Sequence, residues 1–273
     1  MGKIYSADQV SRRIESIVVV QGESSPSYKE TLCGPKYQMA TLIGCTLSLF
    51  QQLTGINIVM FYSSNILTST GLAPNLVTAL VGFVNCVSVF PTIILFKKFG
   101  RKILLWTLSF AIAISLIGLG VALIVNAQYK ENNLGVDSAV CQALQVVFLM
   151  LFIIFFEFSL GPLLWIYMSE IMTEKGLSLG VGVNQIATVM IAFFTSALID
   201  VAGKGSGLYP KDVGSGRLFV GCGVITALCG VFCLLVLKET KGLSEREVSS
   251  LYSKDPNDTK IQRASYLYLD DTK

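Results

Sequence analysis

The stretch Gln51-Gln52-Leu53-Thr54-Gly55-Ile56-Asn57 sets three carboxamides inside an otherwise apolar segment. An amide side chain offers two N–H donors and an acceptor oxygen without charge. In an apolar medium such groups are costly unless they face inward and find partners. They suit a neutral ligand with many hydroxyls. A carboxylate or phosphate would call for Arg, which no apolar segment carries in its interior. Gln52 and Asn57 lie five residues apart, about 140° round a regular helix. They converge only if the helix breaks, and Gly55 is the place for a break. Asn85 and Asn184 are further amides within apolar segments, and Thr188 follows Asn184 on the same helical face. Singly, each amide reads as a hydrogen bond between helices. As a set they describe a wet, uncharged, amide-lined cavity.

Glu157 is the one ionisable residue well inside an apolar segment, with Ile153, Ile154, Phe155, Phe156 and Phe158 around it. A carboxylate in hydrocarbon costs at least about 2.5 kcal/mol on insertion scales. It must face the interior, find a donor or take a proton, so it is either a structural hydrogen bond or part of a ligand path. Gly161-Pro162 interrupts the same segment, and Trp165 follows within one turn. Proline removes a backbone donor and bends the helix, which opens a concave surface beside the indole. Helices broken near the membrane midplane recur at the binding sites of secondary transporters.

These residues sit in a chain of 273 residues, 52% hydrophobic and only 14% charged. Soluble domains average about 25% charged. There is no His, which excludes His-based triads, metal sites and proton relays. A formal net charge of +3 is too even for a polyanion partner, so no nucleic acid is expected. The seven Cys are odd in number and mostly lie in apolar runs, as small core residues do, so neither a disulfide framework, a metal nor a cofactor is expected.

A bilayer core needs roughly 20 apolar residues per helix. Six segments qualify or nearly so: 38–66, 74–96, 103–126, 140–168, 177–199 and 217–237. The pattern predicts an all-α, polytopic membrane bundle, since lipid leaves no partner for unpaired backbone amides. It divides into a cytoplasmic segment (1–36), a six-helix membrane domain (37–238) and a cytoplasmic tail (239–273). No cleavable signal peptide is expected, because the first 36 residues hold no apolar run of that kind. Seventeen of the 21 Lys and Arg fall on one side of this topology; Lys130, Lys204, Lys211 and Arg217 fall on the other. The asymmetry puts both termini in the cytoplasm, where the sequon Asn257-Asp258-Thr259 could not be glycosylated. Two short amphipathic helices are expected at that surface. One starts at the capping box Ser6/Gln9, with Val10, Ile14, Ile17 and Val18 on one face. The other starts at Ser244/Glu247, with Leu243 and Val248 as a staple. They either tidy the ends of the bundle or latch onto it. From Lys254 on, the chain reads as a polar tail.

Together these residues resemble the sugar porters of the major facilitator superfamily. Gln51 through Asn57, followed by Phe61-Tyr62-Ser63, is similar to the family's seventh-helix signature. Gly100-Arg101-Lys102 resembles its Gly-Arg-Arg loop. Phe156-Glu157 through Gly161-Pro162 and Trp165 to Glu170 resembles its tenth helix, Asn184 its eleventh-helix amide, and Glu239-Thr240-Lys241-Gly242 its Pro-Glu-Thr-Lys-Gly signature. The five matches run in family order over about residues 28–250. The resemblance implies that Gln51, Gln52, Asn57, Asn85, Glu157, Trp165 and Asn184 contact a sugar, and that Arg101, Glu170 and Glu239 form a charge network closing the inner gate. Four positions depart from the pattern: Lys97 replaces an acid, Leu177 an Arg, Gln185 an aromatic and Leu164 a Pro. The first pair should weaken the inner network. The second bears on sugar choice and gate flexibility.

The family has twelve spans in two halves, and this chain reads as the second half. The expectation is therefore the C-terminal half of a hexose or related sugar transporter in the plasma membrane, working by alternating access rather than as an enzyme. Its partners would be the sugar, the bilayer, and either an N-terminal six-helix half or a second copy. A non-transporting sugar sensor or interaction subunit is the alternative. The identity of the sugar and uniport against proton symport are not legible in the sequence.

Overall fold

A computed structural model describes residues 26–60, 74–132, 138–255 and 258. The expected helix at 10–18, the Phe61-Tyr62-Ser63 part of the motif, the Lys97 side chain, and Asn257 and Thr259 of the sequon lie outside the described residues. The architecture is all-helical among the described residues. Helix α1 (Tyr28–Cys33) precedes α2 (Gln38–Leu53), which resumes after a turn and reaches Met60. Then come α3 (Pro74–Phe99), α4 (Arg101–Asn132), α5 (Ser138–Phe158), α6 (Pro162–Ile171), α7 (Glu174–Gly203), α8 (Pro210–Val236) and α9 (Glu245–Ser250). Among the described residues, five continuous stretches are long and apolar enough to cross a membrane, with α5 and α6 together forming one of them. The backbone of α3 is 26 residues long and supplies a shorter apolar piece at 79–92.

Most helices outrun the apolar windows that announced them. Helix α4 was expected over 103–126 and spans Arg101–Asn132, and α7 was expected over 177–199 and spans Glu174–Gly203. Their ends are fixed by caps rather than by hydropathy. Thr173 caps α7 through Gly176 N–H, 3.1 Å from its hydroxyl oxygen, and α8 starts on Pro210, whose missing N–H costs nothing in a first turn. The segment at 140–168 is two helices, not one bent helix.

Helix α4 packs most extensively on α8, and small residues let it approach. A Cβ on Gly120 would meet the Gly216 carbonyl oxygen at 2.5 Å, and one on Gly216 would meet the Gly120 oxygen at 2.7 Å. Between membrane helices, close contact of this kind replaces the hydrophobic drive that lipid cannot supply. Helix α2 packs on α7, and α3 on α5. The core runs between them through Leu47, Leu105, Leu116, Phe152, Leu163, Tyr167 and Phe219. All seven cysteines are free, with Cys141, Cys222, Cys229 and Cys233 buried as core residues.

At the end of the bundle, both short helices are capped reciprocally. Ser244 N–H and its hydroxyl donate to Glu247 Oε2 at 2.8 and 2.7 Å, which holds that carboxyl below its usual pKa. The cap is therefore complete above the ordinary carboxylate range and weakens as pH falls through the lowered value. Ser27 and Glu30 form a second box that the sequence reading missed.

The α4–α8 contact gives a direct test. Gly120→Val should destabilise the bundle by about 1–3 kcal/mol, the usual cost of overpacking, seen as a lowered melting temperature in detergent. Gly182→Ala, where a Cβ meets nothing within 4 Å, should not lower it. Equal melting of the two variants would contradict the packing described.

Candidate functional site

Helix α2 breaks where its amides need it to. Thr54 and Gly55 form a turn, with Gly55 at φ +79°, a left-handed conformation that suits a residue without Cβ. The break carries Asn57 back toward Gln52, so that Asn57 Nδ2 donates to Gln52 Oε1 at 2.6 Å. Gln52 Nε2 donates to Asn184 Oδ1 at 2.9 Å, and Asn184 Nδ2 donates to Gln51 Oε1 at 2.7 Å and to the Ser48 carbonyl at 3.2 Å. Gln51 Nε2 ends the run on the Leu160 carbonyl at 2.6 Å. Four amides thus join head to tail, each polarising the next. Gln51, Gln52 and Asn184 are buried, whereas Asn57 is half-buried and its Oδ1 has no hydrogen-bond partner among the described residues. Thr188 shares the face of Asn184, but its hydroxyl bonds back to the Asn184 carbonyl and stays outside the chain of amides.

The second break lies between α5 and α6. Gly161 N–H reaches back five residues to the Phe156 carbonyl, at 2.9 Å. Pro162 starts α6 and has no N–H for the Phe158 carbonyl. Asn85 of α3 donates to Glu157 Oε1 at 2.8 Å, and Thr92 Oγ1 of α3 donates to the Glu157 carbonyl at 2.9 Å. Among the described residues no Lys or Arg pairs with Glu157. The amides and the carboxyl meet at Gly161. Gln51 Nε2 lies 3.4 Å from its carbonyl oxygen, and a Cβ there would stand 3.1 Å from Glu157 Oε2. Trp165 is half-buried one turn into α6. At Gly161 the amide run, through Gln51, meets the Asn85–Glu157 pair, through Glu157. The set can offer hydroxyl groups both donors and acceptors, with one carboxyl beside them.

A charge cluster lies at the far end of α6. Arg101 Nε and one terminal nitrogen donate to Glu170 Oε1 at 3.1 and 2.7 Å, and Thr240 Oγ1 donates to Glu170 Oε2 at 2.6 Å. Glu239 accepts the backbone N–H groups of Arg101, Lys102, Thr240 and Lys241 at 2.9–3.1 Å. Its negative charge thereby sits on the positive end of α4. Gly100, at φ +86°, must lack a side chain, because a Cβ would stand 2.6 Å from Glu239 Oε2. Lys241 Nζ adds a bond to the Lys98 carbonyl at 2.8 Å. This network holds without the Arg that Leu177 replaces.

Sequence reasoning passed over Thr92, Tyr167 and Tyr252. Asn85, Ser88 and Thr92 stand at i, i+3 and i+7, so their shared face was visible in the spacing. Tyr167 and Tyr252 meet hydroxyl to hydroxyl at 2.6 Å, and Tyr252 Oη accepts the Lys238 N–H at 2.7 Å. Val248, Leu251 and Tyr252, all buried, carried the signal at i, i+3 and i+4.

Comparison with known proteins identifies the family. Residues 3–252 match the family described as sugar (and other) transporters. The chain is 31% identical over 260 residues to hexose transporter 1 of Toxoplasma gondii, covering 90% of this chain and 42% of that protein. It is 29% identical to the facilitated trehalose transporter Tret1 of Bombyx mori, covering 88% and 46%. Among solved structures, the proton:xylose symporter XylE bound to 6-bromo-6-deoxy-D-glucose superposes with a TM-score of 0.62 at 26% identity, over 78% of this chain and 42% of that one. The double-Trp XylE mutant superposes at 0.69 and 21% identity, a likeness of fold alone. The chain spans about half the length of the relatives it matches. It is an all-α, multi-pass membrane protein, and it belongs to the sugar transporter family of the major facilitator superfamily.

Proposed function

We propose that this chain forms the C-terminal half of a carrier for a hexose or related sugar, and that the carrier works by alternating access. The observation that carries the reading is the uncharged run of hydrogen bonds from Asn57 through Gln52 and Asn184 to Gln51, set between two broken helices. Asn57 is the amide with spare capacity, so it makes the first ligand contact, with Gln52 and Asn184 behind it. Glu157, held by Asn85, accepts from a sugar hydroxyl, and Trp165 provides an apolar face for the ring. No bond is made or broken in such a cycle. The ligand replaces hydration with protein hydrogen bonds while two bodies rock about it.

The missing wall is supplied by an N-terminal six-helix half or by a second copy. Large apolar side chains exposed along α3 (Phe83, Phe90, Ile94) and α7 (Ile186, Val189, Phe193) support this, since they face either lipid or such a partner. In this reading the Arg101–Glu170–Glu239 network closes the inner gate. The excess of Lys and Arg at the Arg101 end supports a cytoplasmic location for it and for both termini. The plasma membrane is the proposed site of residence, and residues 1–36, 37–238 and 239–273 are the proposed divisions.

Two measurements bear on these roles. In proteoliposomes containing the complete carrier, Asn57→Ala should raise the KM for D-glucose or D-xylose about two- to tenfold, the worth of one neutral hydrogen bond. Unchanged uptake kinetics would remove Asn57 from the site. Glu239→Gln should cost about 1.5–3 kcal/mol of stability, because it replaces a charged acceptor of four backbone N–H groups with a neutral one. An unaltered melting temperature would show that Glu239 is not the keystone of the gate.

A further inference from the structure

Helix α3 holds Glu157 at two points. Asn85 Nδ2 donates to Oε1 at 2.8 Å, and the Thr92 hydroxyl donates to the Glu157 main-chain carbonyl at 2.9 Å. The second bond is unusual in kind. A threonine inside a helix commonly bonds back to the carbonyl four residues before it, and Thr46, Thr188 and Thr226 do so at 2.7–2.9 Å. For Thr92 that carbonyl, of Ser88, lies 3.5 Å away, and the shorter bond crosses to α5. The Glu157 carbonyl is open to it because the N–H four residues on, of Gly161, goes to Phe156 instead. Thr92 is buried, with a relative exposure of 1%, so solvent does not compete for the bond.

Asn85 and Thr92 stand two turns apart on one face of α3. Helices α3 and α5 run in the same sense, since α4 returns between them. In an α-helix the carbonyl points toward the C-terminus and the side chain tilts toward the N-terminus. Two donors at this spacing on a parallel neighbour therefore reach both ends of one residue, carboxyl and carbonyl. We propose that Thr92 is a positioning residue for Glu157. By fixing the Glu157 backbone on α3, it sets the carboxyl so that Asn85 takes Oε1 and Oε2 is left to accept from the ligand. The ligand part of this rests on the carrier reading above. Among the described residues no donor reaches Oε2, and that oxygen stands 3.1 Å from where a Cβ on Gly161 would lie. A glutamate side chain is flexible, and the Asn85 bond alone leaves its carboxyl free to turn. With the main chain fixed as well, one orientation is held before the ligand arrives, and such preorganisation raises affinity.

The test reads the site with and without ligand. In proteoliposomes containing the complete carrier, Thr92→Val keeps the shape and removes the donor. It should raise the KM for D-glucose about three- to tenfold and leave kcat within about twofold. Thr92→Ser, which restores the hydroxyl, should bring KM back to within about twofold of the unsubstituted protein. Placed on Glu157→Gln, Thr92→Val should add less than about twofold, because both act through one group. Without ligand, infrared spectra of the full chain in lipid nanodiscs report the Glu157 carboxyl directly, its band assigned by its loss in Glu157→Gln. That band should move in Thr92→Val and return in Thr92→Ser. Thr92→Ala serves if the Val variant does not fold. A band and a KM both unchanged on loss of the hydroxyl would overturn the proposal. So would a KM effect that adds in full to that of Glu157→Gln, which would mark Thr92 as packing alone. If the unsubstituted carrier takes up no hexose, the transport reading fails, and the infrared band still decides whether Thr92 sets the carboxyl.

Discussion

Hydrocarbon has nothing to offer an amide, and the site is built around that constraint. Each N–H of Gln51, Gln52, Asn57 and Asn184 that turned toward lipid would go unpaired. Here the four side chains answer one another instead, and the last donor is taken up by a backbone carbonyl at the α5–α6 interruption. The arrangement requires two breaks. Without the turn at Gly55, Asn57 would point away from Gln52. Without Gly161-Pro162 there would be no corner at which amides from α2 and α7 could meet a carboxyl from α5. Polar side chains in these helices and irregular backbone therefore require each other.

Helix α6 joins the amide run to the charge cluster. It is ten residues long, about 15 Å at 1.5 Å per residue. Its first turn adjoins the amides and Glu157. Its last turn carries Glu170, which ties it to Arg101 and Thr240. Between them, Tyr167 bonds to the Lys238 carbonyl and to Tyr252, so the segment after α8 also grips this helix. A rigid element held at one end by neutral amides and at the other by charges can report at one end what happens at the other.

Much of this was legible in the sequence. The apolar runs announced the membrane helices, and the amide motif, Glu157 and the Gly-Pro pair marked the groups that the two breaks bring together. The need for a break at Gly55 followed from helical angles alone. What was not legible depends on pairing across long separations. Hydropathy cannot show that Gln51 would reach Leu160 rather than the cavity, because an amide reads the same whether its partner is a ligand or a carbonyl. Nor can it separate a bend from a full interruption at 158–162, which is decided by where Gly161 N–H finds an acceptor. Helix ends were misjudged for a simpler reason. Caps such as Thr173 and first-turn prolines such as Pro210 lie outside the apolar window, and the helices run on to them. Tyr252 was missed because a short segment between polar residues looks solvated until its hydroxyl meets Tyr167.

The central claim is that a sugar sits against the Asn57 end of the amide run, beside Glu157 and Trp165. An anomalous-difference map of the complete carrier crystallised with a bromine-substituted hexose tests this most directly. The account predicts one bromine peak within contact of Asn57, Glu157 and Trp165, with the Asn57 amide turned from Gln52 toward the ligand. A peak elsewhere in the bundle, with the four amides still bonded only to one another, would contradict it.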